Sequence, residues 1–417
     1  MKLNINKQKR IVYVLVFLLI AFSTIPIFRN KFMETICLAI SLFFFGSLYK
    51  YKDVLFLISF LLILEVYHFL NFTPNYDLSV VRVIVSSFII GFGFSVGCKS
   101  SLLITYIKII HFLSIISLII FGILLISESA IKIIESFFDP IFRVENEQYG
   151  NLSSQVNPIF YNFDYNFYLI RNNGPFWEPT IFASLLILSI IFNLILFKKI
   201  INKYSIVSFI TLITTFSSTG YVSFAVLVLG LILLSNKIIL IKKMLLMTVL
   251  LTGSFILFNN TTFLKDKIFE EFINREDAIQ DKGGDSRIAS TILDWREVTE
   301  QPEYFLFGKG SDKRVRIGIN DKNVLRNNGL TALLVQRGIL FTVFYLYGIY
   351  NYFYFLCYQY EKNKKMAIAF FISILVLSTS EILFDLVFFH MLAILGFILK
   401  YDLIKKVSNK KICLKYQ

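Results

Sequence analysis

Histidine and cysteine are scarce in this chain, at three and four residues in 417. His68, His111 and His390 lie far apart, and Cys37, Cys98, Cys357 and Cys413 have no CxxC spacing. A zinc site, a disulfide framework and an HExxH hydrolase are thereby excluded, and neither metal nor cofactor is expected. Acidic residues are few as well: 28 Asp and Glu against 42 Lys and Arg leave a net charge of +14. Such an excess can mark a nucleic-acid binder. Here much of it sits in short loops and tails beside apolar runs, which argues against that class. Segments of alternating polarity are missing, so a membrane β-barrel is excluded. No internal repeat suggests the inverted halves of a secondary transporter.

What is abundant is apolar surface. The chain is 56% hydrophobic and 17% aromatic, with a mean hydropathy of +0.68. Ordinary soluble chains are roughly 45–50% apolar and cannot bury more. Apolar runs of about 17–25 residues recur between short charged loops, which specifies spanning helices, because helices satisfy their own backbone in lipid. The fold class is therefore all-α, a polytopic transmembrane bundle of about 12 helices. The runs fall at 11–28, 32–49, 53–71, 79–97, 102–126, 180–197, 204–218, 220–236, 243–258, 328–357, 366–382 and 384–401. The first resembles a signal peptide behind the basic Met1–Arg10, but it is too long and lacks a small-x-small cleavage site. It reads as a retained helix.

Charge sets the expected orientation. Alternate loops are basic: Lys2, Lys7, Lys9 and Arg10, then Lys50/Lys52, Lys99, Lys198/Lys199/Lys203, Lys237/Lys242/Lys243 and Lys362/Lys364/Lys365. By the positive-inside rule these are cytoplasmic, as are both termini, in a bacterial cytoplasmic (inner) membrane. Only Arg29/Lys31 runs against the pattern. The chain then divides into helices over 1–126, a first large external loop over 127–179, helices over 180–258 and a second large external loop over 259–327. Helices over 328–401 and a basic cytoplasmic tail over 402–417 complete it. In the first loop, Ile131, Ile133, Ile134, Phe137, Phe138 and Ile141 suit a short helix lying in the interface.

Candidate site residues gather in the external segments. Arg171-Asn172-Asn173-Gly174-Pro175-Phe176-Trp177-Glu178-Pro179 leads straight into an uncharged apolar run. Glu178-Pro179 alone is explained equally well by helix initiation, where Pro suits the first turn and a carboxylate the positive dipole end. The preceding cation, amides, turn and aromatic exceed what capping needs. In the second loop stand Gly284-Asp285-Ser286-Arg287, Asp294-Trp295-Arg296 and Phe307-Gly308-Lys309-Gly310. A cluster of Lys309, Lys313, Arg314, Arg316, Lys322 and Arg326 follows. Most of these are a solvated loop; those nearest the membrane suit a lipid-linked phosphate. Arg337, inside an apolar run, is expected to pair with a buried carboxylate or an anionic substrate. Ser217-Ser218-Thr219-Gly220-Tyr221 marks a tight turn at the same depth as Arg171. Gly91, Gly93 and Gly97 imitate a nucleotide loop but suit close helix packing. Glu65, Arg82, Lys108, Glu381 and Asp385 are further polar residues in or near helices, with no ranking among them.

With these residues placed, the chain resembles the O-antigen polymerase and O-antigen ligase superfamily of bacterial membrane glycosyltransferases. Arg171 to Pro179 is similar to that family's Arg-x-x-Gly-x-Phe-x-Glu-Pro. Phe216-Ser217-Ser218-Thr219-Gly220-Tyr221 looks like its Ser-x-x-Gly hairpin. Ser286-Arg287, Trp295, Gly308-Lys309-Gly310, Asn327-Asn328-Gly329-Leu330 and Gly338-Ile339 are similar to its arginine, Gly-x-Gly and His-Asn-x-x-Leu elements. Asn327 stands where many ligases have His, which favours polymerase over ligase.

The resemblance implies glycan transfer from an undecaprenyl-pyrophosphate donor to another lipid-linked repeat unit, on the extracytoplasmic face. Partners are then this donor and acceptor, the lipid bilayer and a chain-length-regulating membrane protein, with no nucleic acid. The expected catalytic set is Glu178 as base or acceptor-orienting group, with Arg171 and Arg287 on the pyrophosphate. Substrate contacts are expected from Asn173, Ser218, Arg296, Arg326, Asn327, Asn328 and Arg337. Ligation to lipid A-core is the nearest alternative. A lipid-linked sugar flippase or transporter, and a scaffolding subunit, come from different classes.

Overall fold

The computed structural model describes residues 5–72, 75–99, 101–146, 153–163, 170–197, 199, 201–234, 241–242, 287–312, 315 and 328–415. The described chain is predominantly helical. In order it forms α1 (Ile5–Thr24), α2 (Lys31–Phe45), α3 (Lys52–Phe72), α4 (Leu78–Cys98), α5 (Leu102–Ile126) and α6 (Glu128–Phe142). The hairpin β1 (Arg143–Asn146) and β2 (Ser153–Val156) follows, with Arg143 opposite Val156. Then come α7 (Pro179–Leu196), α8 (Lys203–Thr214), α9 (Ser218–Leu234), α10 (Arg287–Thr299), α11 (Pro302–Phe307), α12 (Gly329–Gln359), α13 (Met366–Ser378) and α14 (Val387–Lys415).

Among these, α3, α4, α5, α7, α12 and the Val387–Lys405 part of α14 are long and apolar enough to cross a membrane. The Arg10–Thr24 part of α1, with α8, α9 and α13, is apolar but shorter. The expected run at 243–258 lies outside the described residues. The helices for the runs at 11–28, 32–49 and 366–382 end early, at Thr24, Phe45 and Ser378, and two further runs differ for evident reasons. The run at 204–218 stops at Thr214, because the Ser217 hydroxyl accepts from Gly220 N at 3.1 Å and starts α9 instead. The run at 328–357 is broken at Gly338, whose φ of +70° no helix tolerates.

α7 is the centre of the bundle. Its apolar residues run all round the helix, so it is buried on every side, with only Leu194 and Leu196 partly exposed. α5 and α8 pack along it, and α9 and α13 pair beside it. α12 and α14 run together, and α4 lies between α14 and α2. Glycines set these spacings. A Cβ at Gly396 would strike the Gly348 carbonyl, and one at Gly93 the Ser41 backbone. Gly91 likewise faces the His390–Met391 backbone at 3.1 Å. Small residues let helices approach in lipid, which accounts for the glycines of α4.

The two ends of the bundle differ in chemistry. At one end Lys99 pairs with Asp402, Lys400 Nζ lies 3.0 Å from Asp53, and Lys362 Nζ donates to the Phe197 carbonyl at 3.1 Å. The other end gathers the 25–30 turn, the 75–77 turn, residues 143–146, 153–163 and 170–178, the 215–217 turn, the 300–312 segment and the 379–386 turn. Contacts among them, given below, make that end the site.

The first long segment is built, not slack. Along α6, Ile134, Phe138 and Phe142 pack onto a small core of Leu124, Val156, Tyr161 and Phe163. Ile133, Phe137 and Ile141, four residues apart, form an apolar exposed face. This helix matches the expected amphipathic segment.

Candidate functional site at the Arg171 end

Three amide side chains hold the Arg171–Pro179 stretch from behind. Asn157 Nδ2 donates to the Pro175 carbonyl at 2.8 Å, and Asn162 Nδ2 donates to Gln155 Oε1 at 3.1 Å. Gln155 Nε2 reaches the Trp177 carbonyl at 3.3 Å, and Asn162 N donates to the Gly174 carbonyl at 2.6 Å. Gly174 turns the chain at φ +53°, where a Cβ would lie 2.7 Å from Phe182. Asn172 reaches Thr214 Oγ1 at 2.9 Å and Ser117 Oγ at 3.3 Å. Buried amides fully engaged in this way fix one backbone path. Asn173 is buried too, yet its Oδ1 has no hydrogen-bond partner among the described residues.

Arg171 is positioned by the α8–α9 turn. Its Nη2 donates to the Phe216 carbonyl at 3.1 Å and its Nε to Thr215 at 3.3 Å. Phe216 sits at φ +46°, strain of about 1–3 kcal/mol that these bonds help to hold. Burial draws the Arg171 guanidinium below its ordinary value, Glu178 and Tyr221 push it back, Arg287 lowers it and Glu381 raises it. Glu178, Arg287 and Glu381, from three distant parts of the chain, thus all act electrostatically on Arg171. Glu178 is the N-cap residue of α7, but its side chain makes no capping bond. Helix initiation therefore accounts for Pro179 and leaves the carboxylate unexplained.

Trp177 bears a second cation. The Arg29 guanidinium lies 4.4 Å from its ring centroid. That contact gives a physical reason for the basic residue that breaks the loop-charge pattern.

The second long segment docks on the broken helix. The break at Gly338 leaves the Val335 and Gln336 carbonyls without helical partners, and Lys309 N and Gly310 N bind them at 2.7 and 3.1 Å. The Gly-x-Gly element thus repairs a helix. Gly308 adopts φ +79°, ψ 178°, and a Cβ there would lie 2.6 Å from the Gln336 carbonyl oxygen. Gly308→Ala is expected to cost several kcal/mol and loosen the docked segment, read as a lower thermal unfolding midpoint in detergent. Lys309 is buried against Glu300 at 3.2 Å and Glu297 at 3.6 Å, so its cation is structural.

Other predicted residues fall as follows. Asn328 caps α12, its Oδ1 accepting from Leu330 N at 3.1 Å and Thr331 N at 3.3 Å, while its Nδ2 reaches Thr291 at 2.7 Å. Arg337 is buried at the break and pairs with the buried Glu65. Tyr76 donates to Glu65 Oε2 at 2.9 Å, and burial pushes the Tyr76 phenol up to about 12, so it stays protonated. Ser218 opens α9 partly buried, and Arg296 lies exposed on α10. Arg326 and Asn327, with Ser286, Lys313, Arg314, Arg316 and Lys322, lie outside the described residues. Glu381 and Arg29 are among the residues that sequence reasoning left unassigned, with Glu65 and the amides Gln155, Asn157 and Asn162. Among the described residues no three His, Cys, Asp or Glu side chains gather as metal ligands. Comparison with known proteins returned no matching family model, no matching curated protein and no matching solved structure.

Proposed function

We propose that the protein is a membrane glycosyltransferase that polymerises undecaprenyl-pyrophosphate-linked repeat units on the outer face of a bacterial cytoplasmic membrane. The observation that carries this reading is the buried Arg171 guanidinium held on the Thr215 and Phe216 carbonyls beside the entry to α7, where Glu178 makes no capping bond and Glu178, Arg287 and Glu381 act on it electrostatically. Two guanidinium groups beside two carboxylates suit glycosyl transfer from a diphosphate. An acceptor hydroxyl attacks the anomeric carbon, the bond to the diphosphate oxygen breaks, and that oxygen leaves with the electron pair. Arg171 and Arg287 stabilise its growing charge, while Glu178 takes the hydroxyl proton. Asn173, with its unused amide oxygen, is suited to a sugar hydroxyl. In this reading the bundle crosses the membrane about twelve times with both termini cytoplasmic, as the basic loops prescribe. The exposed face of α6 rests in the outer interface.

The test is the glycan profile of a deletion strain complemented with wild type, Arg171→Ala or Arg287→Ala at matched protein level. Single repeats on the acceptor with no ladder are expected for both variants. Ladder retained on undecaprenyl pyrophosphate but never passed on identifies a ligase instead. Repeats trapped on the cytoplasmic face identify a flippase and overturn both transferase readings.

A further inference from the structure

A cleft of about 510 Å³ opens between α2, α4 and the start of α14, beside the site but apart from its Arg171 cluster. Arg29, Lys31 and Arg82 line it, and Arg337 reaches it from the bundle interior. Arg337 is already paired with Glu65, so the other three cations stand against two carboxylates on the lining, Glu34 and Asp385. Glu34 lies 3.8 Å from Arg82, whose side chain remains 57% exposed. The Lys31 ammonium has no partner among the described residues. Three helices begin on this cleft, α2 at Lys31, α4 at Leu78 and α14 at Val387. Their N-terminal dipoles add positive potential to that of the side chains.

The placement of Lys31 is costly twice over. It puts a cation at the positive end of a helix dipole, and with Arg29 it breaks the charge rule that the other short loops follow. A bound anion of more than one charge offsets both costs. The remaining lining fixes its chemistry further. Phe22, Val80, Val83 and Ile84 give the cleft an apolar wall, and Val83 is half-exposed on the outside of α4. Guanidinium forks match phosphate oxygens, and an apolar wall continuing onto a spanning helix matches a lipid tail.

We infer that this cleft seats a diphosphate headgroup, held by Arg29, Lys31 and Arg82. If the polymerase reading above holds, the cleft receives the second lipid-linked substrate. Trp177 would join the two positions, because Arg29 lies on its ring and Glu178 follows it in the chain. Binding is measured without turnover, so its outcome is separable from that of the polymerase reading.

The chain has two tryptophans, so Trp295→Phe leaves Trp177 as the sole reporter of Arg29. Full-length protein in nanodiscs is titrated with farnesyl diphosphate, inorganic diphosphate and farnesol, following Trp177 fluorescence. Saturable binding of farnesyl diphosphate is expected, weakened about tenfold or more by Lys31→Ala and by Arg82→Ala, with Arg82→Lys between. Lys52→Ala, exposed at the opposite end of α3, is expected to change it less than about twofold. Inorganic diphosphate binding as tightly as the farnesyl ester assigns the cleft to the free ion, and weaker binding assigns it to the lipid. Farnesol binding equally well, or affinities untouched by Lys31→Ala and Arg82→Ala in variants of wild-type unfolding midpoint, overturns the inference.

Discussion

Glu65→Leu alone is expected to leave little folded protein, whereas Glu65→Leu combined with Arg337→Met is expected to restore most of it. Both partners of this pair are buried, at 0% and 4% exposure. Removing one leaves an uncompensated charge, which costs about 3–5 kcal/mol, while replacing both with packed apolar groups is often close to neutral. Tyr76 raises the stakes, since it donates to Glu65 and accepts from Ser311 N at 3.0 Å. The pair therefore also ties the docked 301–312 segment to the end of α3. Thermal unfolding of the single and double variants in detergent measures the coupling. If the two singles add to give the double, the pair contributes nothing and this account of Arg337 is wrong. The double variant has a second use. A stable double variant that makes no glycan ladder would mean that Arg337 also acts on the substrate, as its position on the cleft permits.

The parts of this architecture that were legible in the sequence are those written in local pattern. Apolar runs located the helices, because a helix in lipid needs length and hydrophobicity whatever its neighbours are. Ile133, Phe137 and Ile141 announced the exposed face of α6 by their spacing of four. Arg171 to Pro179 drew attention because an arginine and a glutamate flanked a Gly-Pro turn at the head of an apolar run. What stayed hidden depends on contacts between distant residues. Arg29 looked like an exception to a charge rule until Trp177 supplied its partner, 148 positions away by subtraction of the two numbers. Glu381 had no local signature at all. Gly308-Lys309-Gly310 stood out as a Gly-x-Gly element in a basic stretch, yet its N–H groups serve the carbonyls freed at Gly338. A helix break and the segment that repairs it cannot be paired from sequence alone when each reads only as glycine. The amides Gln155, Asn157 and Asn162 were silent for a similar reason, since polar residues in a long loop usually face water.

Glu178→Gln, at wild-type protein level, is expected to lower polymer formation by about 10²–10⁴-fold, and Glu381→Gln by no more than about tenfold. The difference follows from where each carboxylate stands. Glu178 is held by the rigid start of α7, and its side chain forgoes the capping bond open to it at that position. Its backbone is buttressed through Trp177 and Pro175 by the amide triad. A group fixed so firmly, yet making no capping bond, suits proton transfer. Glu381 also acts on Arg171 by charge, but it lies in a turn whose backbone is packed against Gly329, where a Cβ would strike the Glu381 carbonyl. Its carboxylate steadies the guanidinium by charge, a contribution that glutamine partly keeps through hydrogen bonding. Rescue separates proton transfer from positioning. Added formate is expected to restore part of the activity of Glu178→Ala in membranes supplied with lipid-linked repeats, and none to Arg171→Ala. Rescue of Glu381→Ala with none for Glu178→Ala would exchange the two roles. Full activity in both glutamine variants would remove the carboxylates from the chemistry and leave Arg171 and Arg287 acting by charge alone.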